Sequence, residues 1–131
     1  MKFKLLVFIA IIIAASLLFF RAQPKPGNFI TLTSAELATM LNQKDFYFVN
    51  VHIPYVGEIK NTDAFVPYDK ITENLDKLPK DKNAKIVLYC QSGRMSETAA
   101  KELIQLGYTQ VSHLSGGMIE WKQNGYAIIN K

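Results

Sequence analysis

The residue best placed to do chemistry is Cys90, the only cysteine among 131 residues. It closes the run Lys85-Ile-Val-Leu-Tyr89, a continuous apolar stretch of the kind that forms a parallel strand covered on both faces. Gln91-Ser92-Gly93-Arg94-Met95 follows as a tight turn, and from Ser96 a helical pattern begins. A thiol at the carboxyl end of such a strand lies where open α/β sheets build ligand sites. The N–H groups of the turn and of the helix start favour an anionic sulfur there. Gly93 supplies the backbone freedom that a cradle of N–H groups needs. Arg94 sets a fixed positive charge at the rim, suited to an anionic sulfur donor. A lone cysteine is commonly a small buried apolar residue; this strand–turn–helix setting favours a functional one.

The elements that must position Cys90 are legible around it. Phe29 to Leu32 reads as a short strand. Thr33 and Glu36 make a capping box that opens a helix with Leu37, Met40 and Leu41 on one face. Phe46 to Val51 reads as a buried strand. His52 to Asp63, with Pro54 and Gly57, has no periodicity and reads as a loop. Ala64 to Val66 reads as a strand ending at Pro67. Asp69 or Thr72 then caps a helix carrying Ile71, Leu75 and Leu78. After the Cys90 turn comes a helix with Ala99, Ala100, Leu103 and Leu106 inward, stopped by Gly107. Val111 to Leu114 is a strand, Gly116-Gly117 a turn, and Met118 to Asn124 a helix ended by Gly125. Strands alternating with helices predict an α/β fold: a central, mainly parallel five-stranded sheet flanked by helices.

A distinct segment precedes this domain. Residues Leu5 to Phe20 are apolar except for Ser16, and the four charges before Phe29 (Lys2, Lys4, Arg21, Lys25) are all basic. They leave 11 basic and 11 acidic residues in 29–131. The basic pI of 9.2 therefore belongs to the leader, and the neutral domain lacks the basic excess of a nucleic-acid binder. A 16-residue helix is about 24 Å long against a hydrocarbon layer of roughly 30 Å, and a snorkelling Lys4 extends it. Residues 1–22 are accordingly expected to be a signal anchor or a cleaved signal peptide, and 23–28 a linker with Pro24, Pro26 and Gly27. The domain is expected over 29–131, exported to the periplasm or cell exterior and tethered to the membrane, or released there on cleavage.

From Ile86 to Tyr126 the chain resembles the catalytic half of a single-domain rhodanese. The resemblance rests on the strand ending in Cys90, the six-residue loop, the following Ser96 and amphipathic helix, then Leu114-Ser115-Gly116-Gly117-Met118, Trp121 and Gly125-Tyr126. A weaker likeness reaches back to Thr33. It implies a sulfurtransferase: Cys90 takes sulfane sulfur from a small anionic donor such as thiosulfate, holds it as a persulfide, and yields it to cyanide or a thiol. The backbone of Gln91, Ser92, Gly93, Arg94, Met95 and Ser96 would form the binding cradle. No cofactor or metal is implied. The sequence departs from the family pattern at Asn50-Val51-His52, where Asp-Val-Arg is usual. It departs again at Gly57-Glu58-Ile59-Lys60-Asn61-Thr62, and at Met95, where the loop often carries Arg.

Other chemistries fit less well. A cysteine phosphatase or arsenate reductase needs Arg at the seventh loop position to grip oxyanion oxygens, and here that position is Ser96. A module that only binds a partner or senses redox state is the main alternative. His113 falls within a strand and reads as a packing or edge residue, whereas His52 sits at a strand end and could lie near the site. Trp121 reads as core, and the histidines and single cysteine have no zinc-like spacing.

Overall fold

The computed structural model describes residues 27–131. The expected signal segment and all of the linker before Gly27 lie outside the described residues. Among the described residues, no helix is long and apolar enough to cross a membrane.

Five strands form one parallel sheet. In chain order they are β1 (Ile30–Leu32), β2 (Tyr47–Asn50), β4 (Ala64–Phe65), β5 (Lys85–Tyr89) and β6 (Gln110–Leu114). The spatial order is β1-β6-β5-β2-β4, with β5 at the centre. A two-strand antiparallel ribbon pairs β3 (Glu58–Ile59) with β7 (Ile128–Ile129). The helices are α1 (Ser34–Leu41), α2 (Arg94–Gln105) and α3 (Gly117–Gln123).

Alternation along β5 divides the core into two layers. Ile86, Leu88 and Cys90 point to one face, where Ala99, Ala100 and Leu103 of α2 cover them together with Val49, Val51 and Val111. Val87 and Tyr89 point to the other, against Leu37 of α1, Met118 and Trp121 of α3, and Phe48. Side chains such as Leu88 and Leu103, fully removed from water, contribute about 1.5–3 kcal/mol each to holding the layers together. Cys90 is thus aimed beneath the first turn of α2.

The capping box of α1 is present: Glu36 N donates to Thr33 Oγ1 at 3.2 Å and Thr33 N to Glu36 Oε2 at 2.8 Å. Gly107 and Gly125, both with positive φ, stand just beyond α2 and α3, where the sequence stops them. Three expectations are corrected. The stretch 52–63 is not all loop, because β3 lies within it and is paired by β7, a strand the sequence did not signal. The helix expected after Asp69 is a 3₁₀ segment, Thr72–Lys77. Asn74 breaks it with non-helical angles while its side-chain amide donates to Lys70 O at 2.8 Å, a local bond that competes with helix continuation; Leu75 is left exposed. Lastly, α2 begins at Arg94 rather than Ser96.

Candidate active site around Cys90

The N-terminus of α2 has no side-chain cap. Gly93 occupies the cap position with φ of +96°, a left-handed conformation, and the sulfur of Cys90 stands in for the missing cap. Gly93 N donates to Cys90 Sγ at 3.0 Å and Ser96 N donates to it at 3.4 Å. These are donors that a helix start otherwise leaves unpaired, and here they converge on a sulfur that is 1% exposed. Of the cradle expected from Gln91 to Ser96, these two backbone N–H groups touch Sγ. Gln91 contributes instead through its carbonyl. Ser92 is exposed, Arg94 is exposed without an ion-pair partner among the described residues, and Met95 packs half-buried against the α2-side core.

The far side of the loop is held by α3. Met118 N donates to Cys90 O at 2.9 Å and Ile119 N to Gln91 O at 3.0 Å. The carbonyls of Cys90 and Gln91 therefore point toward α3, and the N–H groups of Gly93 and Ser96 face the sulfur. This docking needs two glycines. A Cβ on Gly117 would lie 2.4 Å from Gln91 C and O, and one on Gly93 would lie 1.8 Å from Ser115 O.

Side-chain groups extend the site inward. Cys90 Sγ is 3.5 Å from Ser96 Oγ, as donor to it. Ser96 Oγ donates to Gly93 O at 3.1 Å and lies 3.0 Å from His113 Nδ1. His113 Nε2 is 3.5 Å from Thr31 Oγ1 on β1. His113 is 4% exposed, with its ring edge-on to Phe29 at 5.2 Å. Burial holds it below the ordinary imidazole value; Glu97 opposes this and Lys101 adds to it. The packing role read from sequence holds, but the contact with Ser96 was not foreseen. Residues 96 and 113 belong to different elements, and only the order of β5 and β6 beneath α2 brings them together.

The segment after β2 closes one flank. Asn50 Oδ1 accepts from His52 N at 3.0 Å and Asn50 Nδ2 donates to Gly57 O at 3.0 Å. An aspartate could not make the second bond, which gives a physical account of asparagine at this position. His52 is buried, its Nδ1 has no partner, and burial lowers its pKa. On the opposite face from Cys90, the Tyr89 hydroxyl accepts from Ile59 N at 3.0 Å and lies 2.7 Å from Thr62 Oγ1, tying the β3 segment to β5. Burial raises the Tyr89 pKa. Trp121 is core, as expected, its Nε1 donating to Ala127 O at 3.1 Å and its ring stacked on Tyr126.

A family model described as Rhodanese-like domain matches residues 34–124. A tRNA uridine(34) hydroxylase of Hamiltonella defensa subsp. Acyrthosiphon pisum is 38% identical over 97 residues, 69% of this chain and 27% of that protein. The chain therefore spans about a quarter of the length of such relatives. A sulfurtransferase of Allochromatium vinosum is 38% identical over 92 residues, 69% of this chain and 84% of that protein. Among solved structures, the Staphylococcus aureus rhodanese-like domain protein has a TM-score of 0.65 at 26% identity, covering 79% of this chain and 100% of its own.

Proposed function

Because the chain belongs to the rhodanese-like domain family, we propose that it is a sulfurtransferase in which Cys90 carries sulfane sulfur as a persulfide. The observation that carries this reading is the pair of backbone N–H groups, from Gly93 and Ser96, converging on a sulfur at the mouth of the central strand. Such donors stabilise a thiolate and equally the terminal sulfur of a persulfide anion. In the loading step the Cys90 thiolate attacks the outer sulfur of a thiosulfate-like donor. Its electron pair forms the new S–S bond. The donor's S–S bond breaks with its pair leaving on sulfite, so the total charge is unchanged. A cyanide or thiolate acceptor then attacks the outer sulfur and the electron pair returns to Cys90.

Arg94 is assigned to attracting the anionic donor, and the 29–131 domain to the whole of the chemistry. The hydroxylation named in the tRNA relatives belongs to proteins of which this chain matches 27% and is not carried over. We place the domain outside the cytoplasm, with the apolar leader as anchor or signal. Protease added from the periplasmic side should digest it in cells, and recovery of the domain from cytosol alone would refute this.

The decisive measurement is mass spectrometry before and after incubation with thiosulfate. The Cys90 peptide should gain about 32 Da, removable by cyanide or dithiothreitol. A folded protein that gains no sulfur from any sulfane donor would leave the partner-binding or redox-sensing module as the better reading.

A further inference from the structure

Cys90, Ser96, His113 and Thr31 form a continuous line of polar side chains from the sulfur across β6 to the exposed edge strand β1, with successive gaps of 3.5, 3.0 and 3.5 Å. Ser96 and His113 are both at most 4% exposed, so water does not compete between them, and the line reaches solvent only at Thr31. A packing residue alone does not require a second polar side chain aimed at its ring nitrogen. The Ser96 hydroxyl can accept from the Cys90 thiol while its one hydrogen turns from Gly93 O to Nδ1, which lies 0.1 Å closer at 3.0 Å against 3.1 Å. With Nε2–H directed at Thr31 Oγ1, Nδ1 of neutral His113 is left as an acceptor.

We propose that His113 is a positioning residue that takes the Cys90 proton through Ser96 and so sets the fraction of Cys90 present as thiolate. The thiol S–H bond breaks and its hydrogen passes to Ser96 Oγ, while the hydroxyl's original hydrogen passes to Nδ1. The products are a thiolate and an imidazolium, with no net change of charge or atoms. Nδ1–H then donates to Ser96 Oγ, and the new Ser96 hydroxyl hydrogen faces the sulfur. The thiolate thereby gains a third donor beside Gly93 N and Ser96 N. The charged groups facing His113 are Glu97 and Lys101 of α2, 3.0 Å apart and paired with each other on the surface. From β1 it meets only Thr31 and from the preceding turn the Phe29 ring, while Leu88 is its partner in register on β5. Near Cys90 the loop's own charge is the exposed Arg94.

This proposal rests on the sulfurtransferase reading for its purpose, yet it is tested without sulfur transfer. The rate of Cys90 alkylation by iodoacetamide is followed from pH 5 to 10 on the full-length chain. In His113→Asn an amide can still bond Ser96 but takes up no proton. The alkylation midpoint should move up by about one pH unit, making the rate at pH 7 about tenfold lower. Ser96→Ala, which keeps the backbone donor and interrupts the line, should move the midpoint the same way and decides the matter if His113→Asn does not fold. A midpoint unchanged in the folded variant overturns the relay, even if activity falls, because a purely packing role lowers activity without moving the profile. Failure of wild-type sulfur uptake would sink the sulfurtransferase reading and leave this measurement standing.

Discussion

Gly93 and the Ser115 carbonyl are in backbone contact: a Cβ added to Gly93 would sit 1.8 Å from Ser115 O. The loop after β6 and the loop after β5 are therefore fitted to each other without room for a side chain, and the same residue has φ of +96°.

Gly93→Ala should consequently lose on two counts. An alanine in the left-handed region costs about 1–2 kcal/mol, and moving a backbone carbonyl adds to it, for a total of at least about 2 kcal/mol in urea unfolding. Since Gly93 N is one of the two donors to the sulfur, loading should also slow by about tenfold or more. Full stability and full uptake in this variant would show that the loop relaxes freely.

Tyr89→Phe separates stability from chemistry. Removing the hydroxyl leaves the buried Ile59 N–H unpaired, a loss of about 1–3 kcal/mol. Tyr89 points to the sheet face opposite Cys90, so sulfur uptake per folded molecule should be unchanged. A parallel fall in uptake would mean that the β3 segment helps to shape the site.

His52 and His113 both have pKa values lowered by burial from the ordinary 6.5. Below that value the unfolded chain binds more protons than the folded one. The stability due to these neutral histidines is full above about pH 6.5 and is lost as pH falls toward their folded values. The urea midpoint should drop between pH 7 and 5, and His113→Asn should flatten that drop. Asp45 and Glu97 are lowered from 3.8 and 4.5, so their effect falls at more acid pH. A midpoint constant down to pH 5 would contradict the assignment.

Arg94→Ala should raise the KM for thiosulfate by about two- to fivefold, the scale of an exposed charge contact. The difference should vanish near 1 M salt, where the screening length is about 3 Å. Equal KM values at low salt would remove Arg94 from donor binding.

The sequence made the Cys90 site legible because its signals are local. The apolar run, the glycine and the amphipathic helix are contiguous, and each has its own period. Two-residue strands such as Glu58–Ile59 and Ile128–Ile129 are too short to show alternation, so the ribbon that closes the domain was not visible. The spacing of Ile71, Leu75 and Leu78 suggested a helix, but it carries no information about Asn74 bonding back to Lys70. The line through Ser96 to His113 depends on which face of β6 meets α2, and a single strand's pattern does not reveal that.

The burial of Cys90 also sets what its sulfur can meet. A disulfide between two chains requires sulfurs about 2.05 Å apart on backbones less than about 7 Å apart, and a thiol 1% exposed under a loop cannot reach that geometry with a second copy. The lone thiol is thus closed to cystine-linked dimers. Loading changes the reach. On the sulfurtransferase reading, the added atom would lie about 2 Å beyond Sγ, so transfer would begin that much nearer the acceptor than the bare thiol stands.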